Sequence, residues 1–190
     1  MAKKPTGTLG PLTITTSDGR TSAEQQKIVW PSDQKDVERK ILELFVSEFE
    51  RTGAKFLRIE DGGTKDLDFR VTLPGGQAYV ELMEVVIPEP STIPFQNGQQ
   101  WHEPLAYASN IFGAVEKKVR KYGFSHTIPI HLLLYLTHEQ YAPNEAAIYT
   151  LRHYFKVNKH PFEYVFFLIP LTTDACDLRV IFTIEHRAVN

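Results

Sequence analysis

Apolar residues at Val37, Ile41, Leu44, Phe45 and Phe49 recur every three or four positions, the spacing of one buried helical face. The pattern predicts a helix from about Ser32, a good N-cap, to about Thr52, with Gly53 as the stop. A strand is predicted at Lys55–Glu60, followed by an Asp61-Gly62-Gly63 turn. Two runs rich in strand-forming residues follow, 66–73 and 77–86, joined by Pro74-Gly75-Gly76. They read as a β-hairpin. A second helix spans Leu105 to Tyr122, with Ile111, Val115, Val119 and Tyr122 turned inward and Gly123 ending it. The run Ile130–Leu136 is almost wholly apolar and predicts a central strand. Asn144 suits the cap of a third helix to about Val157, and two closing strands are predicted at Glu163–Ile169 and Leu178–Ile184.

The order is helix, three strands, helix, strand, helix, two strands. It predicts an α/β domain with a mixed central sheet flanked by helices. Residues 33–190 form that single domain in this reading. Residues 1–32, rich in Thr, Ser, Gly and Pro, form a partly irregular arm with a short strand at Leu12–Thr16 before the Ser17-Asp18-Gly19 turn signal. Trp30 offers the arm a docking side chain, on the domain or in an oligomer. Residues 87–104 carry four prolines and read as an irregular loop.

Composition narrows the class without naming a chemistry. A chain of 190 residues, 42% apolar and 23% charged, is long enough for one real core. Its apolar runs are strand-length, far short of the roughly 20 residues a membrane span needs, so no membrane partner is expected. No apolar run follows the charged start at Met1–Gly7, so no secretory leader is expected. Cys176 is the one cysteine, which excludes an internal disulfide and suits a reducing, cytoplasmic setting. The net charge of −2 announces no polyanion partner globally, so nucleic acid would have to meet a local basic patch. Lys117-Lys118-Val119-Arg120-Lys121 on the second helix is such a patch, although a charge run on a helix is usually a solvated face. The seven histidines have no ligand spacing, and no glycine loop has phosphate-cradling form.

The acids of the predicted hairpin carry the chemistry. Burying an unpaired carboxylate costs several kcal/mol, so acids set among strand-formers need a partner. Asp68 and Glu81, facing each other across the turn, are a plausible seat for a divalent cation. Two alternatives stand beside that reading: Glu81 as a buried acid paired with a Lys or Arg, and Asp66, on the same face as Asp68, as a turn residue. Strand alternation puts Met83 on the face of Glu81, with Leu82 and Glu84 on the other.

Asp68-Phe69 on one strand and Glu81-Leu82-Met83 on the next, within the element order of residues 33–140, resemble the PD-(D/E)xK nuclease superfamily. Its usual signature is an Asp followed by Glu-x-Lys on the next strand. Here Met83 stands in the lysine position, and a thioether cannot supply an ammonium. The resemblance implies a restriction-endonuclease-like three-layer sandwich and a divalent-metal-dependent nuclease acting on DNA or RNA. It implies Mg²⁺ or Mn²⁺ held by Asp68, Glu81 and the Leu82 carbonyl, with Glu38 joining through water.

Some members of the superfamily carry the catalytic lysine on a neighbouring helix. By that resemblance Lys118, at the edge of the second helix's apolar stripe, replaces the one missing at 83. The alternative is a snorkelling lysine whose head stays in water. Of two acids near the first helix's stripe, Glu38 and Glu48, distance favours Glu38. A seven-residue strand spans about 23 Å, or roughly 15 helical residues counted back from Thr52. Glu38 also has a plain reading, as an acid favoured by the helix dipole. The rival function is a catalytically inactive relative serving as a binding or regulatory subunit. It follows from Met83 and the net charge, with segment 87–104, Phe95 and Trp101 included, as the surface for a protein partner or a second copy.

Overall fold

The computed structural model describes residue 10 and residues 12–62, 67–86, 103–122, 127–138 and 141–184. Asp66, the Gly123 stop and the contact surface proposed within 87–102, with Phe95 and Trp101, lie outside these.

Eleven elements follow in chain order: β1 (Leu12–Ser17), β2 (Arg20–Gln25), α1 (Gln34–Arg51), β3 (Arg58–Asp61), β4 (Phe69–Leu73), β5 (Gly76–Glu84), α2 (Pro104–Tyr122), β6 (Ile130–Tyr135), α3 (Glu145–Val157), β7 (Phe162–Pro170) and β8 (Cys176–Thr183). Strands β3 to β8 form one mixed sheet in sequence order, and β1 and β2 form a separate ribbon. Within the sheet, β3, β4 and β5 run antiparallel, β6 and β7 join in parallel, and β8 closes antiparallel.

The helices take both faces. Phe166 of β7 meets Phe45 of α1 at 5.1 Å between ring centroids. Its neighbour Phe167 pairs in register with Arg179, whose guanidinium reaches Glu145 at the start of α3. Adjacent strand residues point to opposite faces, so α1 covers one and α3 the other. Helix α2 packs beside α3 through Phe112 and Phe155, 5.2 Å apart. The result is a six-stranded mixed sheet between helical layers, the predicted α/β sandwich.

Four expectations need correction. Asp33, not Ser32, caps α1, its carboxylate accepting from the Lys35 amide at 2.8 Å. A carboxylate reaches that orphan amide and complements the helix dipole as well. The third strand begins at Arg58 rather than Lys55, because Phe56 turns into the aromatic cluster of Phe45 and Phe49. The arm holds a full hairpin rather than one short strand. Asp18 and Gly19 both take positive φ, 51° and 71°, the two-residue turn that Asp-Gly favours, and Arg20–Gln25 then pairs back along β1. Asp68 stands one residue before β4 instead of within it. Trp30 is docked in the core beside Ile28.

Candidate metal and phosphodiester site

The site is built where the β4–β5 ladder stops. Pairing runs from Leu73 and Gly76 to Phe69 and Val80, and the next positions in line are Asp68 and Glu81. Side chains replace the ladder there. The Asp68 amide donates to Glu81 Oε2 at 3.1 Å, and the Leu82 amide donates to Asp68 Oδ2 at 2.8 Å. The gap between the strands is therefore closed by two carboxylates, each held by the other strand's main chain.

Gly62 fixes the approach to Asp68. Its amide donates to the Asp68 carbonyl at 2.8 Å. A Cβ at position 62 would fall 1.6 Å from the Leu67 carbonyl oxygen, so only glycine allows that crossing.

Lys118 arrives from α2, the helix whose Ile111, Val115 and Val119 are buried. Its ammonium bonds to Glu81 Oε1 and to the Leu82 carbonyl, and lies 3.7 Å from Asp68 Oδ2. The snorkelling alternative, with the head in water, does not hold. Glu81 has no exposure and is one of two buried polar residues among those described. Burial pushes its carboxyl above the ordinary range, Lys118 opposes that, and the Asp68 charge adds to it. The sequence reading of Glu81 as an acid paired with a basic residue thus describes its contacts as well.

Glu38 approaches from α1, with Asp68, Lys118 and Glu81 inside its electrostatic reach. Burial raises its pKa most, a hydrogen bond from Gln34 opposes, and Asp68 and Glu81 raise it further while Lys118 lowers it. Gln34 Nε2 holds Glu38 Oε1 at 3.1 Å and the Tyr135 hydroxyl at 2.9 Å. Burial keeps Tyr135 a neutral phenol, its pKa also raised by Glu84 and Glu38. Glu48, the other candidate on α1, pairs with Arg51 at 2.9 Å near the helix's far end. Met83 is half-buried against the core. Thr137 Oγ1 donates to Glu84, which belongs to the sheet face opposite Glu81.

Sequence reading missed Gln34, Tyr135, Thr137 and Gly62. Gln34 lies one turn before Glu38, a spacing that signals contact once Glu38 is chosen. Tyr135 and Thr137 depend on the β5–β6 register, which no local pattern shows. Gly62 was legible only as a turn residue.

The oxygens of Asp68, Glu81 and Leu82 converge on one cationic point, the Lys118 ammonium. Two carboxylates and a carbonyl are the hard donors that Mg²⁺ or Mn²⁺ accepts, so the residues fit such an ion. Among the described residues no three His, Cys, Asp or Glu side chains close into a cage by themselves. On the outer side of α2, Lys117 and Arg120 are exposed.

No protein-family model matches the chain, and no curated protein matches it. Among solved structures it is similar to SfsA of Pyrococcus furiosus, a structure determined in complex with Ca²⁺. Identity is 12%, the match covers 92% of this chain and 77% of that one, and the TM-score is 0.32. At that score the likeness carries no argument about this chain. Among the described residues no helix is long and apolar enough to cross a membrane.

Proposed function

We propose that this chain is a divalent-metal-dependent nuclease whose site is Asp68, Glu81, the Leu82 carbonyl, Lys118 and Glu38. The observation that carries the reading is the convergence of three oxygens at the end of the β4–β5 ladder on one cation drawn from a different element. Such a seat is expensive to build, since Glu81 is fully buried, and a purely apolar packing would serve stability as well or better. The element order supports it too: one helix, three antiparallel strands, a helix and a parallel strand, as in the PD-(D/E)xK core that Asp68-Phe69 and Glu81-Leu82-Met83 resemble.

Bound Mg²⁺ or Mn²⁺ supplies polarisation of a phosphodiester and a hydroxide-like nucleophile. Asp68, Glu81 and the Leu82 carbonyl would hold the ion. The Lys118 ammonium stabilises negative charge developing on a phosphate oxygen. Glu38, with its raised pKa, is suited to accept and return a proton. Lys117 and Arg120 hold the strand backbone from the outer edge of α2.

A second reading keeps the fold and drops the chemistry. Lys118 already neutralises Glu81, Met83 offers no ammonium, and the net charge is −2, as a binding or regulatory subunit would allow. Purified protein incubated with supercoiled DNA and single-stranded RNA, with Mg²⁺, Mn²⁺ or chelator, separates the two. Metal-dependent cleavage lost in Glu81→Gln supports the enzyme. Activity that survives either the chelator or Glu81→Gln rejects the proposed site.

A further inference from the structure

We infer that Lys118 and the divalent ion are alternative occupants of one seat, so that metal loading releases the Lys118 ammonium from Glu81 and Leu82. This rests on the metal-dependent reading above and adds an exchange step to it. The Lys118 ammonium bonds to Glu81 Oε1 and the Leu82 carbonyl and stands 3.7 Å from Asp68 Oδ2, the same oxygens that fit the ion. An ion ligated by them would stand within a few ångströms of an unmoved ammonium, and two cations that close in a half-buried site repel strongly.

The chain can make the exchange because the two sides of the seat belong to separate elements. The carboxylates of Asp68 and Glu81 are each fixed by a main-chain amide across the gap, Leu82's and Asp68's respectively. Lys118 reaches the seat on a flexible four-carbon stem from α2, and its side chain is a quarter exposed. The carboxylates therefore stay, and the ammonium moves outward. Lys117 and Arg120, both exposed, flank it on the same helix. In the metal-free state Lys118 is the counter-ion that keeps buried Glu81 compensated. In the loaded state it is a free cation in a basic stretch, placed to take a phosphate oxygen of the substrate.

The test labels lysines of the unmodified protein with an amine-reactive ester, with and without Mn²⁺ and without nucleic acid, and quantifies each site by mass spectrometry. Lys118 labelling is expected to rise several-fold with Mn²⁺, while Lys117 stays constant. In parallel, calorimetry compares Mn²⁺ binding by the parent, Lys118→Met and Asp68→Asn. Removal of the internal competitor is expected to tighten binding about tenfold or more, the worth of a charge-assisted hydrogen bond. Asp68→Asn is expected to abolish it. Mn²⁺ binding lost in Asp68→Asn, but with flat Lys118 labelling and no tightening in Lys118→Met, overturns the exchange and leaves the metal reading standing. No Mn²⁺ uptake by parent or Lys118→Met overturns both. The labelling arm needs no variant, so misfolding of Lys118→Met cannot obscure the answer.

Discussion

The ammonium of Lys118 is bonded to the carboxylate of Glu81, a side chain with no exposure, across 36 residues of chain from the Leu82 carbonyl it also holds. This contact ties α2 to the end of the β4–β5 ladder, where the proposed chemistry is seated. Removing one member of a buried pair typically costs about 3–5 kcal/mol, because the other charge is left uncompensated. Lys118→Met is expected to fall at the lower end of that range, since the Lys118 side chain is a quarter exposed. Glu81→Gln should cost less, and the double variant should recover about 0.5–3 kcal/mol relative to additivity. Urea denaturation of the four proteins measures this, and strict additivity would show that the pair is not coupled.

Met83 shares the sheet face of Glu81, two residues along β5, so a lysine there can present its ammonium to the same carboxylates. Met83→Lys placed in the Lys118→Met background is expected to restore more than half of the lost stability and part of any metal-dependent cleavage. A double variant less stable than Lys118→Met alone would mean that position 83 does not reach the seat.

Gly62 is expected to tolerate no side chain. Gly62→Ala places a carbon 1.6 Å from the Leu67 carbonyl oxygen, which forces the crossing apart and shifts Asp68. A loss of about 1–3 kcal/mol and weakened Mn²⁺ binding are expected together. Stability falling while Mn²⁺ affinity stays unchanged would separate Gly62 from the site.

Glu38 and Glu48 provide an internal control on one helix. Glu38→Gln is expected to lower cleavage by about 10²-fold or more, the usual contribution of a positioned acid–base group. Glu48→Gln should leave it within about twofold, because Glu48 pairs with Arg51 at the helix's other end. Equal losses in both variants would remove Glu38 from the mechanism.

His131 sets an acid limit on the fold. Burial lowers its pKa from 6.5 to about 4, against a smaller upward pull from the Ile130 main chain. The folded state then binds fewer protons than the unfolded chain between those two values, so stability rises with pH across that window. It is fully present above pH 6.5 and lost as pH falls through about 4, a change of roughly 2–3 kcal/mol. His160, lowered by burial as well, adds in the same direction. Melting of His131→Phe against the parent from pH 7 to pH 4 measures the slope. An equally steep loss in the variant would assign the effect elsewhere.

Much of the architecture was legible because its signals are local. The three helices follow apolar spacing and caps such as Asn144, whose side chain accepts from the Ala147 amide at 2.8 Å. The hairpin follows Pro74-Gly75, which joins Leu73 to Gly76 in two residues. Asp68 and Glu81 could be placed opposite each other because a tight turn pairs the arms of a hairpin, whereas only the resemblance to superfamily members with a lysine on the neighbouring helix brought Lys118 to them. What could not be read depends on distant contacts. Phe56 leaves the β3 ladder for aromatic partners on α1, and Gln34 reaches Tyr135 across 101 positions. The exposed β1–β2 ribbon carries no apolar alternation to announce its second strand, and its Asp18-Gly19 turn was the available clue.

Anomalous scattering from a crystal soaked in Mn²⁺ tests the seat most directly. The expected result is one peak at about 2.1 Å from oxygens of Asp68, Glu81 and the Leu82 carbonyl, with the Lys118 ammonium swung clear of Glu81. A soaked crystal with no peak there, and Lys118 still bonded to Glu81 and Leu82, would contradict the account.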